Sequence, residues 1–97
     1  MSLTGSEWRP YKRLAIAIVT AYVNDWIDAN IMCESRGVLP ERLDEYQWQR
    51  DKAEAFFKGK LCASCEAATG LSGDYILQQL KKGNSTKIVH TLEVNNE

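Results

Sequence analysis

The sequence predicts an all-α fold, a bundle of about four helices with a helix-turn-helix-like C-terminal pair and a C-terminal extended segment. Three observations lead there. Apolar residues recur at helical spacing from Tyr11 onward, Gly37, Pro40, Gly59, Gly70 and Gly83 punctuate the chain, and the period shortens to two only after residue 84. The 97 residues fit one domain, since a second core would be too small to bury its own apolar surface. An apolar fraction of 44% with 26% charged residues and two prolines belongs to a packed globule, not to a disordered tail.

The first element is expected from about Pro10 to Met32. Pro10 suits a first helical turn, and Tyr11, Leu14, Ala15, Ile18, Tyr22 and Ile27 follow on one face. Ala17, Val19, Ala21 and Val23 widen that apolar surface, leaving Lys12, Thr20, Asn24 and Asp28 as a wet edge. Its most apolar run, Leu14 to Val23, is about half of the ~20 residues a membrane span requires, so it reads as a core helix. Residues 1–9 are read as a disordered or expression-derived N-terminus, and residues 10–83 as the single helical domain.

A second helix follows Pro40. From Glu41 to Lys52 it carries four acidic and three basic residues and projects into solvent; Ala53, Phe56 and Phe57 then turn it toward the core. Leu61, Cys62, Cys65 and Ala68 form a third segment, which Gly70 stops. In the fourth, Ser72 can accept a hydrogen bond from the N–H of residue 74 or 75, and Asp74 suits the positive end of the helix dipole. Ile76, Leu77 and Leu80 face inward, and Gly83 closes the helix. Beyond it, Ile88, His90, Leu92 and Val94 alternate with Lys87, Thr91 and Glu93, which predicts a strand. With no strand to pair with, residues 84–97 are expected to be an extended, separable tail or to pair with a partner or a second copy.

The net charge of −1 draws the chain as a whole to no polyanion. The charge is uneven, however. Residues 58–87 hold five lysines against Glu66 and Asp74, so any contact with a polyanion such as double-stranded DNA is expected on the C-terminal part. Across Leu61 to Lys82 the order helix, glycine turn, helix matches a DNA-binding helix-turn-helix, whose second helix offers its exposed side chains to the major groove. The candidate contacts are Tyr75, Gln78, Gln79, Lys81 and Lys82: glutamine can pair with adenine through two hydrogen bonds, and lysine or tyrosine can reach phosphate. Glu66, where such units need a small residue, and Asp74, near the groove, count against this reading.

Ala53-x-x-Phe56-Phe57, then Cys65-Glu66-x-x-x-Gly70-Leu71 and Ile76, preceded by an alanine-rich aromatic helix, is similar to a group of small proteins encoded in phages and prophages of Gram-positive bacteria. The resemblance spans roughly residues 11 to 82. It implies a phage-related regulatory or packaging accessory role and no specific activity.

Cys62-Ala63-Ser64-Cys65 with Cys33 and His90 could supply the three thiolates and one imidazole of a zinc site. The C-x-x-C pair lies inside a helical segment without a second such pair, so the thiols read instead as free, metal-free core residues. The N-terminus lacks the pattern of a signal peptide, and a reduced, cytoplasmic setting is the expectation. A lone histidine, and Asp25 and Asp28 as a solvated edge, leave no catalytic residue, cofactor or metal to name; the expectation is a protein that is not an enzyme. The functional expectation is therefore a non-enzymatic binding module, with DNA binding as the first reading. A protein-interaction or assembly adaptor is the alternative, in which an exposed Trp48 would be a contact. A positive stripe along the fourth helix would favour DNA, and a contiguous apolar patch a protein partner.

Overall fold

The computed structural model describes the backbone of residues 5–95 and the side chains of residues 10–95. Five helices lie among the described residues: α1 (Gly5–Glu34), α2 (Pro40–Lys58), α3 (Lys60–Thr69), α4 (Gly73–Lys81) and α5 (Ser85–Asn95). The all-α expectation holds. Long α1 and α2 form an antiparallel hairpin, and the three short helices gather around the end where α1 begins and α2 finishes. The molecule measures 51 × 22 × 19 Å.

Two sequence expectations change at the chain ends. Helix α1 begins by Gly5 rather than at Pro10, so Pro10 stands inside the helix and costs it one backbone hydrogen bond. Residues 5–9 therefore extend the helix; residues 1–4 lie outside those described. At the other end, residues 85–95 form a helix, not a strand or extended tail. Ile88 and Leu92 stand one helical turn apart and are each 1% exposed, sealed against the core. The segment thus contributes two large aliphatic side chains to the core cluster.

Helix α1 packs through Ala15, Ile16, Val19, Val23, Trp26 and Ala29, all buried. The buried stripe is thus rotated from the expected one, because Tyr11, Leu14 and Ile18 are exposed. In α2 the buried residues are Ala53, Phe56 and Phe57, as expected from its apolar half. Phe56 stacks on Tyr22 with ring centroids 3.9 Å apart and planes 7° from parallel. The exposed polar half of α2 is held to α1 by side chains: Arg50 Nη1 donates to Asn30 Oδ1 at 3.0 Å, and Gln49 Nε2 to the Asp25 carbonyl at 3.2 Å.

The α3–α4 corner follows the sequence closely. Gly70 takes φ 73°, ψ 9°, the left-handed conformation that ends a helix, and its N–H donates to the Glu66 carbonyl. Ser72 Oγ then accepts from the Tyr75 N–H at 3.2 Å. Gly73 is required for a different reason. A Cβ on it would lie 1.8 Å from the Phe57 carbonyl oxygen, so the first residue of α4 sits directly on the end of α2.

Candidate functional site

Two surfaces compete as sites, the outer face of α4 and a face spanning α1, α2 and α3. On α4, Gln78 and Lys82 are exposed, whereas Tyr75 is half-buried against the core. Gln79 is engaged, its Oε1 accepting from Asn84 Nδ2 at 2.8 Å. Lys81 Nζ lies 3.8 Å from Glu54 Oε1, the oxygen to which Trp26 Nε1 donates at 3.2 Å. The five expected DNA contacts therefore divide: Gln78, Lys81 and Lys82 are exposed, Lys81 beside Glu54, whereas Tyr75 and Gln79 are half-buried. A recognition helix presents its N-terminal residues to base edges. In α4 that end is occupied by the fold, with Gly73 buried against Phe57 and with Asp74 as the exposed first-turn side chain.

The second surface begins on α1. Tyr11, Leu14 and Ile18 are spaced i, i+3, i+7 along one stripe, which Ala21 and Asp25 continue, all of them exposed. Tyr11 Oη donates to the Ser64 carbonyl at 3.2 Å, joining this stripe to the α3 edge that carries Lys60 and Leu61. Farther along, Ala21, Tyr22 and Asp25 face Trp48 and Lys52 of α2 across a groove of about 460 Å³. Lys52 Nζ stands 5.1 Å from the centre of the Trp48 ring, a cation–π contact at the rim. Leu14 is 61% exposed, Trp48 64% and Leu61 72%, so each of the three helices carries a large apolar side chain in water. Leu14 and Ile18 fit the expected apolar face of the helix, yet both are exposed. Trp48 on a polar helix was the one signal that pointed to this surface.

The cysteine constellation does not assemble. Cys62 and Cys65 are buried in α3, Cys33 is half-buried near the end of α1, and His90 is exposed on α5. Among the described residues no group of three or more His, Cys, Asp or Glu could hold a metal. Burial, with smaller contributions from Cys65, Glu66 and Asp74, pushes the Cys62 thiol up to about 11, and burial raises that of Cys65 as well. Both thiols are thereby kept protonated and unreactive near neutral pH.

No described helix is long and apolar enough to cross a membrane. Comparison with protein-family models, with curated proteins and with solved structures finds no match to this chain.

Proposed function

We propose that the chain is a non-enzymatic protein-interaction module that docks through the front face of α1, α2 and α3. The observation that carries this reading is the exposure of Leu14, Ile18, Leu61 and Trp48 on helices that the Ala21–Trp48 groove and the Tyr11–Ser64 hydrogen bond join to one stripe of α1. Burying such side chains against a partner is worth roughly 1.5–3 kcal/mol each, and tryptophan is prominent among residues that dominate interface energy. The resemblance read from the motifs of residues 11 to 82 implies a phage-related regulatory or packaging accessory role, with which a protein-interaction module is compatible. Helix α4, whose Lys81 is opposed by Glu54, offers a weaker electrostatic footprint for DNA.

A photo-reactive phenylalanine analogue placed at Leu61, and separately at Gln78, tests the reading in cells of the source organism. Discrete protein adducts from position 61 and none from position 78 are expected. The DNA reading predicts the reverse, with salt-sensitive binding of mixed duplex at micromolar protein and a salt slope that falls by about one unit in Lys82→Ala. That outcome would replace the proposal.

A further inference from the structure

We infer that the tip of the α1–α2 hairpin holds a second binding site, a cavity between the end of α1 and the start of α2 that takes a terminal carboxylate adjoining an apolar side chain. The inference does not depend on the front-face reading, since none of the residues that form this cavity belongs to that face.

The cavity has a volume of about 390 Å³, at the small end of the roughly 300–1,000 Å³ of ligand sites. Its lining is divided in character. Arg36 and Arg42 supply its only charges and the half-buried Tyr46 a hydroxyl, while Met32, Val38 and Leu39 form an apolar wall. Neither guanidinium, nor the Tyr46 hydroxyl, has a hydrogen-bond or ion-pair partner among the described residues. A guanidinium presents its N–H donors as a planar fork that matches the two oxygens of a carboxylate, so two unpaired forks on one small cavity call for an oxyanion.

The carboxylates closest in sequence do not answer them. Glu34 lines the crevice shared with Trp26 and Lys81, and Glu45, one turn beyond Arg42, borders Trp48. Glu41, in the first turn of α2, lies outside the lining as well. The carbonyl end of α1 would repel an anion, yet it is partly capped here: the Ser35 N–H donates to the Met32 carbonyl at 3.3 Å and Ser35 Oγ to the Ile31 carbonyl at 2.7 Å. The start of α2 has no side-chain cap, so the positive end of its dipole adds to the arginines.

The apolar wall narrows the choice of anion. Inorganic phosphate would satisfy the arginines and leave Leu39, 61% exposed in the free chain, still in water. A carboxylate with an aliphatic group beside it meets both halves of the lining at once. The last residue of a polypeptide has that chemistry, and so does a free N-acylated amino acid.

Titration of the full-length, ¹⁵N-labelled chain followed by amide chemical shifts tests this, with N-acetyl-leucine as the probe. Saturable shifts confined to residues around 35–46 are expected, with half-saturation at about 1 mM for a ligand of about a dozen heavy atoms. N-acetyl-leucinamide, which lacks the charge, and inorganic phosphate, which lacks the aliphatic group, should each bind at least about tenfold more weakly. Arg36→Gln and Arg42→Gln should do the same to N-acetyl-leucine while keeping the helical circular dichroism, whereas Lys58→Gln, equal in charge change, should bind as the wild type does. The site is overturned if N-acetyl-leucine gives no saturable shift by about 20 mM, if the amide or phosphate binds as tightly, or if both arginine variants bind unchanged. A hexapeptide ending in leucine then identifies the source: binding at least about tenfold tighter than N-acetyl-leucine, lost on amidation, marks a chain end, and equal binding marks a free acid, either of which upholds the site.

Discussion

Between residues 30 and 52, around the tip of the α1–α2 hairpin, no residue is buried, whereas the opposite end gathers Ile76, Leu77, Leu80, Ile88 and Leu92 into the core cluster that includes the buried stripe of α1. The tip is joined by hydrogen bonds from partly wet side chains, Arg50 to the Asn30 side chain and Gln49 to the Asp25 backbone carbonyl. Such bonds contribute about 0.5–1.5 kcal/mol each, because water competes for the same groups. The helical cap relies on apolar burial and on close backbone approach, where loss of a single side chain or the addition of one methyl group is felt throughout the core. The cap thus determines whether the domain folds, and the tip determines mainly how far the hairpin extends.

The largest expected effect attacks the cap where it is tightest. Gly73→Ala must push α4 off α2, because the obstructing atoms are the Phe57 carbonyl and not a mobile side chain. A loss of about 3–5 kcal/mol is expected in urea denaturation, in keeping with severe overpacking. A loss below about 1 kcal/mol would show that the two helices separate easily. Next, Leu92→Ala should cost about 2–5 kcal/mol, since the side chain is 1% exposed and its removal leaves a cavity. Truncation after Asn84 should be worse, removing Ile88 as well. If the truncated chain melted at the wild-type temperature, α5 would be an appendage after all.

Alkaline pH probes the same end more gently. Folding raises the Cys62 thiol from 9.0 to about 11, so the folded chain holds its proton more tightly than the unfolded chain does. This contribution is complete below about pH 9 and is lost as pH rises through about 11. The urea midpoint should therefore fall across that window, and Cys62→Ala should flatten the decline. The smallest effect belongs to the tip. Arg50→Ala should cost about 0.5–1.5 kcal/mol at most, and hydrogen exchange should quicken between residues 30 and 50 with little change in α4 and α5. Equal acceleration at both ends would mean that the two regions unfold as one unit.

Much of this contrast is written in the sequence. Gly70 and Ser72 are chemically specific signals, one for a left-handed backbone and the other for an unpaired N–H, and both act where expected. The hairpin's uneven burial is also legible, since the polar run from Glu41 to Lys52 precedes Ala53, Phe56 and Phe57. Helix α5 was not legible, because Ile88 and Leu92, four apart, satisfy a period of two as well as a helical turn, and Val89, Thr91 and Val94 favour a strand on propensity alone. What decides is the surface that α1 and α4 offer to it, which no local pattern contains. The front face was hidden for a related reason. Helix α1 is apolar on adjacent stripes, and only the placement of α2 and α3 determines that Ala15 and Val19 are covered while Leu14 and Ile18 stay in water.

The last described turn also reaches back to the α3–α4 corner, where Asn95 Nδ2 donates to the Thr69 carbonyl at 2.6 Å and Thr69 itself is buried. Segments 26 positions apart are thereby clasped, and this bears on the order of events during synthesis. The hairpin and the glycine-stopped corner use contacts already made by residue 81, yet the groove that Ile88 and Leu92 fill stays open until α5 has left the ribosome. A nascent chain therefore passes through an interval with an unsealed, apolar opening beside the corner, and that is the window in which a chaperone or a premature neighbour could engage it.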